Sequence, residues 1–376
     1  MNKQIALRQI ISFLSYSNIL VRKVNKKISF TYFYRIFASF LIITKMKKNN
    51  YTLILSICAI ALSTIAISLN FFIMATHRPD DEQMYKDAIK SELHNFSAPL
   101  PLELTFCGEK VPLDNIFVRE ALDRELTSIM YQHGTTFQIL KRSWRFFPEI
   151  EQYLKEFGGH DDLKYLAVAE SALSDVVSPA KAAGFWQFMP KTAKEYGLTV
   201  SEEWDERYDL RKATEAAVKY LKSSYSRFGN WALTCAAYNC GENGVKRQMA
   251  KQDCKDYWGL AINNETSRYV YRILAYKVLM QDPRQYGFYV RQKDCHQPLQ
   301  YDTITIDSTI TNMPMFAKAL NCPYKYFKIL NPQVRSDKLT NPNKKTHTFK
   351  IISEENISYS KALEQNNLSG NTFYLE

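Results

Sequence analysis

The chain has 376 residues, 46% of them hydrophobic and 14% aromatic, with 12 glycines and 13 prolines. That length and composition leave room for more than one packed domain and exclude a disordered or collagen-like chain. The net charge of +11 invites a nucleic-acid partner, but ten Lys or Arg and no acid fall within residues 1–50, so the remainder is close to neutral. A protein that releases counterions from a phosphate backbone carries its charge on its folded part, so no nucleic acid is expected.

The amino end explains the charge. Residues 1–45 read as a basic, aromatic tail, and Met46-Lys47-Lys48-Asn49-Asn50 followed by an uncharged apolar run over 51–74 forms a complete export signal. Met46 is therefore a candidate true start, with a genuine cytoplasmic tail as the other reading. The run has the length of a membrane span, and lysines on one flank alone place that flank in the cytoplasm. A cleaved signal peptide is the rival, although Ala66-Ile67-Ser68 is a poor cleavage site. We expect residues 46–76 to be a signal anchor, with the rest exported into the cell envelope or periplasm. Residues 77–113 are polar and interrupted by proline in their first part, and read as a linker.

From 114 to 292 the apolar spacing is helical, which predicts an all-α domain. Leu163, Leu166, Ala167 and Glu170 fall on one helix face. Pro190 suits a first helical turn and Gly197 an end. Asp209 is placed to cap a helix through Ala213, Ala216, Ala217, Tyr220 and Leu221, closed by Gly229. Further helices are expected from Trp231 to Asn239 and from Thr266 to Met280. After Pro298 the texture changes: strand-like alternation at 301–306, two short helices and a second strand at 346–352 predict a β-α-α-β module within 299–353, separable from the helical domain. Residues 354–376 read as a polar, frayed tail. The fold class is mainly α.

Seven cysteines (Cys58, Cys107, Cys235, Cys240, Cys254, Cys295, Cys322) show no metal-like spacing with the six histidines. An odd count without a framework favours buried thiols. No metal and no cofactor are expected, and no protein partner is indicated.

Glu170 is the residue out of place, a carboxyl at the end of the apolar run Leu166-Ala167-Val168-Ala169. Leu163, Leu166 and Ala167 on its face desolvate it, which raises its pKa, and a carboxyl that stays protonated near neutral pH can protonate a glycosidic oxygen. A helix-terminal glutamate open to water is the plainer alternative. Glu170-Ser171, Gly184-Phe185-Trp186-Gln187-Phe188-Met189-Pro190, Ala237-Tyr238-Asn239-Cys240-Gly241 and Glu265-Thr266 with Tyr269-Val270 stand in order over about 110 residues. These blocks resemble the family 1 lytic transglycosylases, which share a lysozyme-like fold with goose-type lysozyme, and most of all the membrane-bound type D subgroup. Cys240 stands where the family usually has alanine.

The resemblance implies Glu170 as the catalytic acid and base. Ser171 is implied to orient substrate or the glutamate, and Gln187 and Met189 to contact the sugar. Tyr238 and Asn239 would sit beside the cleavage point, and Glu265 and Tyr269 would line the groove. Read without it, Met189 is core, Tyr238 a packed aromatic and Glu265 a helix-start carboxylate. Asp175 is the tempting second acid but matches no catalytic position of the family. The implied partner is the glycan strand of peptidoglycan, cut between N-acetylmuramic acid and N-acetylglucosamine to leave 1,6-anhydro ends. A hydrolytic muramidase and a non-catalytic peptidoglycan-binding scaffold are the alternatives. The module resembles LysM, with Leu330-Asn331-Pro332 in place and Asp307-Ser308-Thr309 where Gly-Asp-Thr is usual. Glycan binding and a spacer or docking role both stay open for it.

Overall fold

The computed structural model describes residues 97–365 and, ahead of them, only Ala59, Leu62, Ser63 and Ala66. The expected basic tail, the anchor over 51–74 apart from those four residues, and the expected linker up to residue 96 lie outside the described residues. Among the described residues no helix is long and apolar enough to cross a membrane.

A two-stranded hairpin, β1 (Thr105–Phe106) and β2 (Glu109–Lys110), opens the structure. It is followed by α1 (Ile116–Tyr131), α2 (His133–Glu156), α3 (Lys164–Ser171), α4 (Pro190–Glu195), α5 (Leu210–Phe228), α6 (Trp231–Cys240), α7 (Glu242–Gln252) and α8 (Asn264–Gln281). The helix limits have local causes. The Asp209 carboxylate accepts the Lys212 amide at 3.0 Å at the start of α5, and Gly229 ends it with φ +60°. Asn230 and Asn263 cap α6 and α8 in the same manner through the Leu233 and Thr266 amides.

The core is organised around α8, which packs on α1, α3 and α6. Its Val270, Ile273, Leu274, Ala275 and Leu279 are buried on all sides, as expected of a helix apolar around most of its circumference. Two buried carboxylates pair with it. The Lys277 ammonium donates to Asp162 Oδ2 at 2.8 Å and to the Thr105 carbonyl at 2.7 Å. Glu125 of α1 accepts from Arg268 Nε at 2.7 Å.

Part of the expected linker belongs to the helical domain. Ala98, Leu104, Phe106, Cys107, Val111 and Leu113 are buried in its core, and the Cys107 amide donates to Asp162 Oδ2 at 2.7 Å. The segment has no helical period, so its apolar residues did not register as an element.

The C-terminal module has the expected order: β3 (Asp302–Ile306), α9 (Met313–Ala319), α10 (Tyr324–Leu330) and β4 (His347–Ile351). β3 and β4 pair antiparallel with Ile304 opposite Phe349. Asn331 of the Leu-Asn-Pro turn is buried, donating to the Phe327 and Lys350 carbonyls and accepting the Lys350 amide at 2.7 Å. The module's core of Met313, Phe327, Val334 and Phe349 is completed by Trp204 from the loop between α4 and α5. The tail departs from expectation. A further helix, α11 (Tyr359–Gln365), continues the chain, and the Tyr359 hydroxyl donates to the Lys293 carbonyl.

Replacing Asp209 by Ala removes the α5 cap. The expected loss is about 1 kcal/mol, read as a lower midpoint in thermal or urea denaturation with secondary structure retained.

Candidate active site

Glu170 lies in the last turn of α3, whose Leu166, Ala167 and Val168 are buried. The helix stops at once. Ala172 and Leu173 both take left-handed backbone, φ 52° and 56°, a conformation that non-glycine residues hold only where surroundings enforce it. Arg142 of α2 supplies part of that enforcement, donating to the Ala172 carbonyl at 3.1 Å and to Ser174 Oγ at 2.9 Å. Sequence reasoning missed Arg142. An arginine on a helix face carries no local mark of a partner 30 residues away.

The Glu170 side chain is partly buried, and the Tyr269 hydroxyl of α8 donates to its Oε1. Burial pushes the carboxyl up from its ordinary 4.5 to about 7, while the Tyr269 hydrogen bond and the Arg272 charge pull it down and Glu265 pushes it up. Desolvation dominates, so the proton is retained near neutral pH. Glu265 itself is exposed in the first turn of α8 and pairs with Arg272 Nη1 at 3.2 Å.

The second wall is the loop from 176 to 189. Gly184 has φ +78°, and a Cβ there would stand 1.9 Å from the Arg207 carbonyl oxygen, so only glycine fits. Gln187, also left-handed at φ 47°, donates through Nε2 to the Val176 carbonyl at 2.9 Å and the Gly184 carbonyl at 2.8 Å. Trp186 is fully buried, with Nε1 on Thr214 Oγ1 at 3.0 Å. Met189 is exposed, so its core reading fails.

The third wall is the end of α6. The Tyr238 hydroxyl donates to the Trp186 carbonyl at 2.7 Å, and its ring packs edge-on against Phe188 and Tyr220. Asn239 Oδ1 accepts from Thr266 Oγ1 at 2.7 Å, fastening α6 to the start of α8.

Of the residues singled out in the sequence, Tyr269, Tyr238 and Glu265 are each within electrostatic reach of Glu170. Gln187 and Asn239 hold backbone and helix ends that frame them. The Ser171 hydroxyl turns into its own helix, donating to the Ala167 carbonyl at 3.1 Å. Asp175 is exposed on the loop.

A separate cluster brings Cys107, His160 and Asp162 ligand atoms within 4.8 Å of one another. The Lys277 ammonium on Asp162 already supplies the positive charge there, and burial pushes the Cys107 thiol up, away from the thiolate that binds metal.

The helical frame thus sets a desolvated carboxyl against a phenol. Comparison with known proteins gives the assignment. Residues 152–260 match the Transglycosylase SLT domain family, and residues 302–355 match the Soluble lytic transglycosylase C-terminal LysM-like domain. The chain thus carries an SLT domain followed by a LysM-like domain. Glu265 and Tyr269 lie beyond the SLT match.

Among curated proteins, the chain is 31% identical over 191 residues to "Membrane-bound lytic murein transglycosylase D" of Escherichia coli strain K12, covering 48% of this chain and 41% of that protein. It is 36% identical over 70 residues to "Putative tributyltin chloride resistance protein" of Alteromonas sp., covering 18% and 34%. The chain spans less than half the length of these relatives. Among solved structures, the 70 kDa soluble lytic transglycosylase of Escherichia coli aligns at 23% identity and TM-score 0.34, over 43% of this chain and 29% of that one. The lytic transglycosylase Slt of Pseudomonas aeruginosa aligns at 23% identity and TM-score 0.29, over 36% and 24%.

Because the Tyr269 hydrogen bond favours the charged carboxylate, Tyr269→Phe raises the Glu170 pKa above its present value of about 7. The alkaline limb of any activity that needs the protonated acid then moves to higher pH, which a rate profile on murein tests. A limb that stays in place or moves to lower pH contradicts the electrostatic role of Tyr269.

Proposed function

We propose that this chain is a lytic murein transglycosylase of the cell envelope, anchored to the membrane by residues 51–74. The SLT domain and the relative's name support the class. The observation that carries the mechanism is the Glu170 carboxyl, raised to about 7 by burial and held by Tyr269.

Glu170 protonates the oxygen of the β-1,4 bond between N-acetylmuramic acid and N-acetylglucosamine, and the bond breaks towards an oxocarbenium-like sugar. Most glycosidases place a second carboxylate across the bond. Here the acidic neighbour acting on Glu170 is Glu265, which is exposed and paired to Arg272. The substrate's own N-acetyl group therefore stabilises the positive charge. Glu170, now ionised, takes the proton of the muramic 6-hydroxyl, whose oxygen closes on C1 to give the 1,6-anhydro sugar. No water is consumed. A hydroxyl carried by the same ring has a high effective concentration, which favours closure over hydrolysis.

Glu170→Gln keeps the shape and removes the proton. Cleavage should fall by a hundredfold or more, the order of general acid–base assistance, and mass spectrometry of wild-type products should show ends lighter by one water than reducing ends. Reducing ends alone would support a muramidase, and no cleavage at all a binding scaffold.

The same variant tests the burial. A carboxyl whose folded pKa is raised contributes stability that is complete at acid pH and lost as pH rises through about 7. Glutamine has no such loss, so the melting temperature of Glu170→Gln relative to wild type should climb between pH 5 and 8. A flat difference would mean that Glu170 is not desolvated.

A further inference from the structure

The loop between α4 and α5 joins two parts of the molecule that the sequence presents as separate. Its residues 203–205 lie antiparallel to residues 333–335 of the C-terminal module. The Asp205 amide donates to the Gln333 carbonyl and the Arg335 amide to the Glu203 carbonyl, both at 2.9 Å, around a Trp204–Val334 bridge. The Trp204 side chain enters the module's core, edge-on to His347 at 4.5 Å and to Phe349 at 5.5 Å. Around this joint the Glu203 carboxylate accepts the Thr340 amide at 2.7 Å, Lys345 Nζ stands 3.2 Å from Glu206, and the Arg335 guanidinium lies 4.3 Å from the Tyr208 ring centre.

Two residues beyond Asp205, Arg207 of the same loop holds the segment between Lys181 and Phe188. The buried Arg207 guanidinium grips Asp205 through Nε and Nη2, at 3.0, 3.1 and 2.7 Å. With Nη1 it donates to the Lys181 carbonyl at 2.7 Å and the Phe188 carbonyl at 3.0 Å. Those two carbonyls flank the segment that carries Gly184, Trp186 and Gln187, and the Trp186 carbonyl receives the Tyr238 hydroxyl. A series of contacts thus runs from the module's core through Trp204, Asp205 and Arg207 to the 181–188 segment, whose Trp186 carbonyl holds Tyr238, a residue within electrostatic reach of Glu170.

We propose that the C-terminal module is a brace for the catalytic loop, with Trp204, Asp205 and Arg207 as positioning residues, rather than a tethered glycan-binding arm. The physical argument is one of completion. Without Trp204 the module's core has a hole the size of an indole, and without the module residues 203–205 lose the strand they pair with. Arg207 makes five donor contacts in a fixed planar fork, a geometry that lysine cannot reproduce. The clamp is rigid only if Asp205 is rigid, and the Asp205 amide is held by Gln333. The kinetic part of the inference rests on the transglycosylase reading given above.

Two measurements on the full chain test it. In the unmodified protein, hydrogen exchange of the Asp205 and Arg335 amides should be slow, at rates comparable with core helix amides. Exchange at the rate of free peptide amides would overturn the docking, whatever the enzyme does to murein. In steady-state kinetics on murein strands, Arg207→Lys and Trp204→Ala should lower kcat by on the order of a hundredfold, as expected for a misplaced reacting geometry, with little change in KM. Trp204→Phe, which keeps an aromatic ring in the joint, should recover most of the loss. An arm that only concentrates substrate predicts the opposite split, a raised KM with kcat intact, and that result would overturn the brace. Should Trp204→Ala fail to fold, Arg207→Lys and the exchange measurement decide. Absence of cleavage by the wild-type protein would count against the transglycosylase reading alone, because the exchange measurement needs no turnover.

Discussion

The partial burial of one carboxyl is the constraint around which this molecule is arranged. An acid that is to give up a proton near neutral pH must be desolvated, and desolvation is unfavourable unless neighbouring groups make the position unavoidable. Here α3 presents Leu166, Ala167 and Val168 to the core, so Glu170 is carried inwards by its own helix. The helix then ends in two left-handed residues, which leaves Glu170 at a rim and reachable from outside. The partner it meets is a phenol, not a cation. Tyr269 orients the carboxyl through one hydrogen bond without fixing a full negative charge on it.

The contrast with the other buried acids is instructive. Asp162 is matched by Lys277, Glu125 by Arg268 and Asp205 by Arg207. Such pairs are weak evidence for net stability, since desolvating both charges offsets their attraction. Their visible effect is on placement. The first attaches the 105–110 hairpin to α8, the second attaches α1 to α8, and the third sets the guanidinium that grips the Lys181 and Phe188 carbonyls. The helix that supplies Lys277 and Arg268 also supplies Tyr269, so the frame and the site share one rigid element.

How much of this could be read in advance varies with the kind of signal. Short-range chemistry was legible: Asp209 and Gly229 bound α5, Pro190 opens α4, and the Leu330-Asn331-Pro332 turn lies where the module needs it. The four blocks from Glu170 to Tyr269 stand out along the chain because each carries its own turn or helix end. Other features left no local trace. Residues 97–113 have no period, yet they pack into the core. Arg142 and Trp204 look like ordinary members of a helix and a loop.

The sequence by itself determined the helical class and the order of the two folded parts. These follow from period, capping and turn residues, which act over a few neighbours along the chain. Only the tertiary structure decided that Tyr269 is the group touching Glu170, 99 positions apart, and that Trp204 closes a core otherwise built from residues beyond 300. Desolvation and side-chain packing depend on atoms brought together by folding, and no spacing rule along the chain encodes which distant residue will fill a given space.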